Sequence, residues 1–343
     1  PGHSERYLDP LTEARRIVNG NVVTPATSVV IYPLSQLSYV QIRWIWTALQ
    51  IIATVAVLYM LFSRVRTGNF FLTAMPVVIG LVCSDTWLMN VERGQMYLFY
   101  VLLITIAFSL YTSERRHAAF LSGFAGGIFI LFRPFAAIVG LPFLLAGKWK
   151  WIAGCLCGFL AGCVMFVLPF RDKWRDYFNA MQEYVLEDTD QAKYNDAAVQ
   201  PEFPGIIEHA SNLERYNKFG VSRLDNTYHL FKRAGITITP YQSLIGFALV
   251  VLLVSVHFLY KKGRYFSASQ LFMMGAWLMI CAEIFIVAPR GDYNVIQWLF
   301  PLSLAYLRKK DDFTFLAVLI TAFLFLHNFP FAFPRLGQVA EVL

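Results

Sequence analysis

Residues 115–170 read RRHAAFLSGFAGGIFILFRPFAAIVGLPFLLAGKWKWIAGCLCGFLAGCVMFVLPF, and this stretch decides the fold class. Three apolar runs, 117–133, 135–147 and 151–170, follow one another with almost no polar residue inside them. They are separated by the Arg133-Pro134 step and by Lys148 and Lys150, and Arg115 and Arg116 precede them. A bilayer core about 30 Å thick is crossed by about 20 apolar residues in a helix. The middle run is short for that. Short or broken helices are tolerated where protein rather than lipid surrounds them, and they often line a site.

Working outward, the same pattern gives spans at 41–62, 69–89 and 96–112 before this stretch. After it come 242–259, 267–288, 294–307 and 312–333. Composition agrees: 57% of the 343 residues are hydrophobic and 15% charged, with a mean hydropathy of +0.52. A soluble domain carries about 25% charged residues. The expected fold is all-α, a polytopic transmembrane helical protein with about ten spans.

The loops alternate in charge. Arg64 and Arg66, Arg115 and Arg116, Lys148 and Lys150, Lys261, Lys262 and Arg264, and Arg308, Lys309 and Lys310 place twelve basic residues in five short loops. The short loops between them hold only Arg93, Arg133 and Arg290. Lys and Arg mark the cytoplasmic side, so the formal net charge of +7 reads as topology and lipid-headgroup contact, not as nucleic-acid binding. The domain plan is an external segment 1–40, six transmembrane helices in 41–170, an external polar insert 171–241, four helices in 242–333 and an external tail 334–343. An external N-terminal segment without a signal implies a further span upstream. The insert holds eleven of the 22 acidic residues, and its stretch 172–187 suits an amphipathic interfacial helix.

Ionisable groups in or beside the membrane core need a reason. Arg93, in Glu92-Arg93-Gly94-Gln95, Arg133 and Arg290, in Arg290-Gly291-Asp292-Tyr293-Asn294, share one side of the bilayer. Guanidinium groups match phosphate oxygens with paired hydrogen bonds, so three at one depth suit a phosphate or diphosphate. Snorkelling to headgroups, or local pairing such as Arg290 with Asp292, would explain each one singly. Carboxylates come from the N-terminal segment (Glu5, Asp9, Glu13), where Asp9-Pro10 is also a fitting N-cap for a short helix over 8–18. Asp85 and Glu283 fall within spans and need partners, an arginine being the expected one for Asp85. The five cysteines lie in apolar runs and read as small membrane-core residues. Neither they nor the histidines have metal-ligand spacing, and no glycine-rich phosphate loop is present.

In order along the chain, these residues resemble the GT-C fold membrane glycosyltransferases, specifically glycosyltransferase family 87. Its members include polyprenyl-phosphate-mannose-dependent mannosyltransferases. Glu5-Arg6-Tyr7, Ala14, Gly20 and Tyr32-Pro33 follow the order of the family's opening segment, with Trp44 or Trp46 on the next helix. Gly94-Gln95 looks like its Gly-Gln turn, with Tyr97 where an asparagine is usual. Arg133-Pro134 is similar to its Lys-Pro step, and Asn226-Thr227 with Arg233 to its Asn-x-Ser segment. Ala288-Pro289 looks like its Ser-Pro turn, with Asn294 in place of a histidine.

The resemblance implies an inverting transferase that moves a sugar from a polyprenyl-phosphate donor to an acceptor hydroxyl of a glycan, glycolipid or protein. Asp9 or Glu5 would be the catalytic base. Arg133, Arg93 and Arg290 would hold the donor phosphate, and Gln95, Asn226, Asp292, Asn294 and Tyr32 would contact substrate. No cofactor is required, and a divalent metal is left open. The expected place is the cytoplasmic (inner) membrane of a bacterium, with the site facing the periplasm or exterior. A transporter or lipid flippase, or a non-catalytic subunit of a cell-envelope complex, is the alternative. Mid-membrane broken helices and internal repeats would mark a transporter, and no repeat is present.

Overall fold

The computed structural model describes residues 24–62, 75, 77–78, 81, 85–92, 95–178, 236, 238–260, 265–285 and 292–308. Among these residues every regular element is helical. A short helix α1 (Pro25–Ile31) opens on Thr24, whose Oγ1 accepts from the Thr27 N–H, with proline at the first turn. It runs into a 3-10 helix, Tyr32–Gln36. Then follow α2 (Tyr39–Phe62), α3 (Asp85–Glu92), α4 (Tyr97–Tyr111) and α5 (Ala118–Phe132). A 3-10 helix Pro134–Gly140 leads into α6 (Leu141–Leu145), and α7 starts at Trp149 and stays regular to Gly162. The later elements are α8 (Pro240–Tyr260), α9 (Ala268–Phe285), a 3-10 helix Asp292–Trp298 and α10 (Leu299–Arg308).

Helix starts are written locally. Ser38 N–H donates to Gln41 Oε1 (3.0 Å) ahead of α2, and Ser267 and Gln270 exchange bonds ahead of α9 (2.9 and 3.4 Å). Thr239 and Gln242 do the same at α8 (2.7 and 3.2 Å). At α8 and α9 the hydroxyl residue and the glutamine three places later satisfy orphan N–H groups on each other, while at α2 the bonds run from Ser38 to Gln41. The sequence reading passed over all three. At the end of α4 the Thr112 and Ser113 hydroxyls donate back to the Phe108 and Leu110 carbonyls (3.0 and 2.7 Å), closing the helix before the basic loop.

Among the described residues four helices are long and apolar enough to cross a membrane: Val40–Phe62, Trp149–Phe178, Tyr241–Tyr260 and Ala268–Phe285. Two expected spans differ in kind. The run 135–147 is a 3-10 turn and a five-residue helix, about 21 Å long from the rises of the two helix types. Pro134, Gly140 and Pro142 account for the break, since proline removes a backbone donor and glycine weakens a helix interior. The run 294–307 likewise opens as a 3-10 helix. Conversely, α7 does not stop at 170. A π-helical stretch, Cys163–Val167, and a 3-10 turn, Leu168–Phe170, carry it past Pro169 into 171–178. A wider turn ahead of a proline is one way a helix absorbs the lost bond. In 171–178 the buried residues Trp174 and Tyr177 form one face, as an amphipathic segment requires. The expected span 312–333, much of 69–89 and most of the insert lie outside the described residues.

Two interior contacts organise the bundle. α5 and α7 pack backbone to backbone: a Cβ at Gly123 would strike Trp151 O, at Gly127 Cys155 O, at Gly154 Phe120 O and at Gly158 Phe124 O. Trp151 stacks on Phe143 of α6 (4.1 Å, 14°) and donates its indole N–H to Ser122 Oγ (3.0 Å). The other contact is α9, whose residues Leu271 to Ile284 are largely buried among α4, α6, the 3-10 helices and α10. α8 stands at the rim. Leu249, Leu252, Leu253, Val256 and Leu259 are more than half exposed, an apolar surface suited to lipid.

Candidate active site

The Arg133-Pro134 step ends α5. Proline disfavours the α conformation for the residue before it, and here Arg133 is extended (φ −141°, ψ 95°). Its backbone is tied on both sides: Arg133 N–H donates to Phe129 O (2.9 Å), and Ala136 N–H donates to Arg133 O (2.8 Å). The side chain therefore leaves a fixed point at one end of the bundle. There its Nε and Nη2 lie 2.9 and 2.5 Å from Glu283 Oε1 of α9. The other carboxylate oxygen, Oε2, accepts from Gln297 Nε2 (2.9 Å), which also donates to Asn294 O (3.3 Å).

Aromatic rings complete the pocket around the cation. The guanidinium carbon is 4.9 Å from the Tyr97 ring centre, 5.6 Å from Tyr100 and 5.8 Å from Phe135. Nη1 is 3.5 Å from the Tyr97 hydroxyl, at the limit of a hydrogen bond. The Glu283 side chain is 2% exposed and that of Arg133 18%. Breaking such a pair from one side leaves an uncompensated buried charge, at a cost of about 3–5 kcal/mol. The part of the Arg133 side chain that stays exposed is the part that can meet a ligand.

The neighbouring turn sets the depth. Gln50 Nε2 donates to Gln95 O (2.7 Å), and Gln95 N–H to Asn90 O (3.0 Å). Gln50 lies about 16 Å along α2 from its first residue, so α4 begins beside the middle of α2 rather than its end. Beside the junction, α1 closes one flank. Thr24 Oγ1 donates to Phe132 O (3.4 Å), and Ala26 packs with Leu131, Trp174 and Tyr177.

Of the residues proposed from sequence, the structure brings Arg133, Asn294 and Gln95 to this end of the bundle. Asn294 is 2% exposed, one turn before Gln297. Gln95 heads α4, two residues before Tyr97. Tyr32 opens its 3-10 helix and is 57% exposed. Asp292 starts the 3-10 helix that carries Gln297. Glu5, Asp9, Arg93, Asn226 and Arg290, with the side chain of Asp85, lie outside the described residues. The partner that Glu283 needed is Arg133. Reading by residue type missed Gln297, Tyr97 and Tyr100 as neighbours of that pair. The available signals were two amides one turn apart in an apolar run, and two tyrosines three apart on the first turn of a helix.

The family model for glycosyltransferase family 87 matches residues 23–289. Arg133, Glu283 and the Gly94-Gln95 turn fall inside the match, and the N-terminal carboxylates Glu5 and Asp9 fall before it. Comparison with curated proteins and with solved structures returns no match. A match over most of the chain, on a structure whose described residues include four helices long and apolar enough to cross a membrane, shows that the chain belongs to glycosyltransferase family 87, the membrane glycosyltransferases.

Proposed function

We propose that this transferase takes a hexose of the mannose type, or a related sugar, from a polyprenyl-phosphate donor to an acceptor hydroxyl on the non-cytoplasmic face of a bacterial inner membrane, with inversion. The acceptor would be a glycan, glycolipid or protein. The observation that carries the reading is Arg133: a cation fixed in direction by its backbone, its carboxylate partner and three aromatic rings, with its side chain still 18% exposed. The donor's lipid tail would rest against the exposed apolar faces of the helices, and its phosphate would approach Arg133 where its side chain is exposed.

Charge decides the division of labour. Glu283 offsets most of the Arg133 charge, so Arg133 supplies directed N–H donors, and Arg93 and Arg290 supply the surplus positive charge. The acceptor oxygen attacks the anomeric carbon from the face opposite the phosphate. The new C–O bond forms as the bond to the phosphate oxygen breaks, and that electron pair leaves with polyprenyl phosphate. The acceptor proton passes to Asp9 or Glu5. Donors aimed at the oxygen on which charge develops stabilise the transition state more than the ground state.

The test is transfer by purified protein in lipid vesicles, supplied with either a polyprenyl-phosphate mannose or a nucleotide sugar. Release of polyprenyl phosphate, and a product of opposite anomeric configuration, are expected with the first alone. Use of the nucleotide sugar in its place would end the donor reading. For whichever of Asp9→Asn and Glu5→Gln removes the base, kcat should fall by about 10²–10⁴ with donor binding kept. Wild-type turnover in the double variant would discard both carboxylates.

A further inference from the structure

We infer that Gln297 is a positioning residue that keeps Glu283 from closing fully on Arg133, and so keeps Arg133 available to an anionic lipid headgroup. The inference rests on the reading of Arg133 as a donor-phosphate contact. It comes from an asymmetry in the ion pair. Guanidinium and carboxylate usually meet through two parallel bonds, one to each oxygen. Here Nε and Nη2 of Arg133 both converge on Glu283 Oε1, because Oε2 is turned toward Gln297 Nε2.

The amide's orientation is set by chemistry. Flipped, Gln297 would place its oxygen against a carboxylate oxygen, two acceptors facing each other. As it stands, Nε2 donates to Glu283 Oε2 and to Asn294 O, while the buried Oε1 has no hydrogen-bond partner among the described residues. The residue is held by what its nitrogen does. Gln297 is 2% exposed on a 3-10 helix that packs against α9, so the donor cannot swing away.

Without this amide, Oε2 would be free to take up Nη2 and complete the fork. The carboxylate would then hold more of the guanidinium's charge, and less would remain for an approaching phosphate. Gln297 thus acts through Glu283 and need not touch the substrate.

Binding of a short-chain polyprenyl phosphate to the purified chain in nanodiscs tests this, with thermal unfolding recorded for every variant. Gln297→Met should weaken binding about tenfold, the scale of one hydrogen bond to a charged group. Gln297→His, which keeps an N–H at that place, should stay within about threefold of wild type. Adding Glu283→Gln to Gln297→Met should restore binding to wild type or better, since no carboxylate is left to compete. A merely structural role would make the double variant worse than either single one, and that result overturns the inference. Glu283→Gln alone keeps an acceptor for Arg133 and should bind more tightly; weaker binding overturns the inference even if Gln297→Met does not fold. The parent reading has its own arm. If Arg133→Met in the Glu283→Gln background binds as tightly as Glu283→Gln alone, the phosphate contact itself is lost, and Gln297 with it. If that variant binds weakly while Gln297→Met matches wild type, only the Gln297 inference falls.

Discussion

Helix α5 meets its neighbours in two opposite ways along its length. Over its first three turns it lies against α7 with so little between them that Gly123 and Gly127 face backbone atoms, and Gly154 and Gly158 return the contact. Where it ends, one long cation reaches across to a carboxylate on α9 and an amide beyond it. The glycine seam gains from many small van der Waals contacts, the usual way helices associate where lipid is as apolar as the side chains. The arginine junction gains from polar groups that lipid could not satisfy. The first has no atom to spare for a ligand. The second concentrates its strength in a few groups, one of them still partly exposed, and under the proposed function it both holds the helices and meets a substrate.

The seam should break hardest. Gly158→Leu places a side chain where a Cβ alone already meets the Phe124 backbone, and no rotamer relieves that. We expect no recoverable monodisperse protein by size exclusion, a cost beyond the about 1–3 kcal/mol of ordinary overpacking. Normal folding would mean that the two helices are not so close. Arg133→Ala comes next, with a loss of about 3–5 kcal/mol from the stranded Glu283. The comparison sharpens in the double variant Arg133→Met/Glu283→Leu, which should regain most of that stability while failing to bind the donor. Recovered donor binding would make the junction purely structural.

Within α9, Leu278→Ala should cost about 2–5 kcal/mol through the void it leaves, since Leu278 is fully buried. Trp151→Phe keeps most of the stacking on Phe143 but leaves Ser122 without its donor; about 1–3 kcal/mol is expected by thermal unfolding. The smallest effect belongs to Leu253→Ala on α8. That residue is 69% exposed to what would be lipid, and a change within about 0.5 kcal/mol is expected. A large loss there would show that α8 faces protein in the membrane.

Several of these features could be read before any coordinates. The expected runs 96–112, 117–133 and 242–259 correspond to α4, α5 and α8 within two residues at each end, because a long apolar run bounded by charge has few other ways to satisfy its backbone in lipid. The run 135–147 misled as to shape, since hydropathy does not distinguish a 3-10 turn from an α-helix and the local prolines decide. The two glycine pairs stood four residues apart in plain view. Glycine is frequent in membrane helices for several reasons, and only the facing helix reveals which of them packs. At the site, Glu283 announced that it needed a partner, but nothing in the chain named Arg133, 150 residues away.

By itself, then, the amino-acid order determined that this chain is helical, where several of its helices begin and end, and that an arginine-proline step ends one of them. Those properties follow from transfer of side chains out of water and from backbone sterics, which act locally. Tertiary structure alone decided that Arg133 is paired, that Gln297 turns the carboxylate facing it, and that α9 is central while α8 is peripheral. Each depends on which distant elements come within a few ångströms of one another, and apolar helices of similar composition carry no local mark of their neighbours.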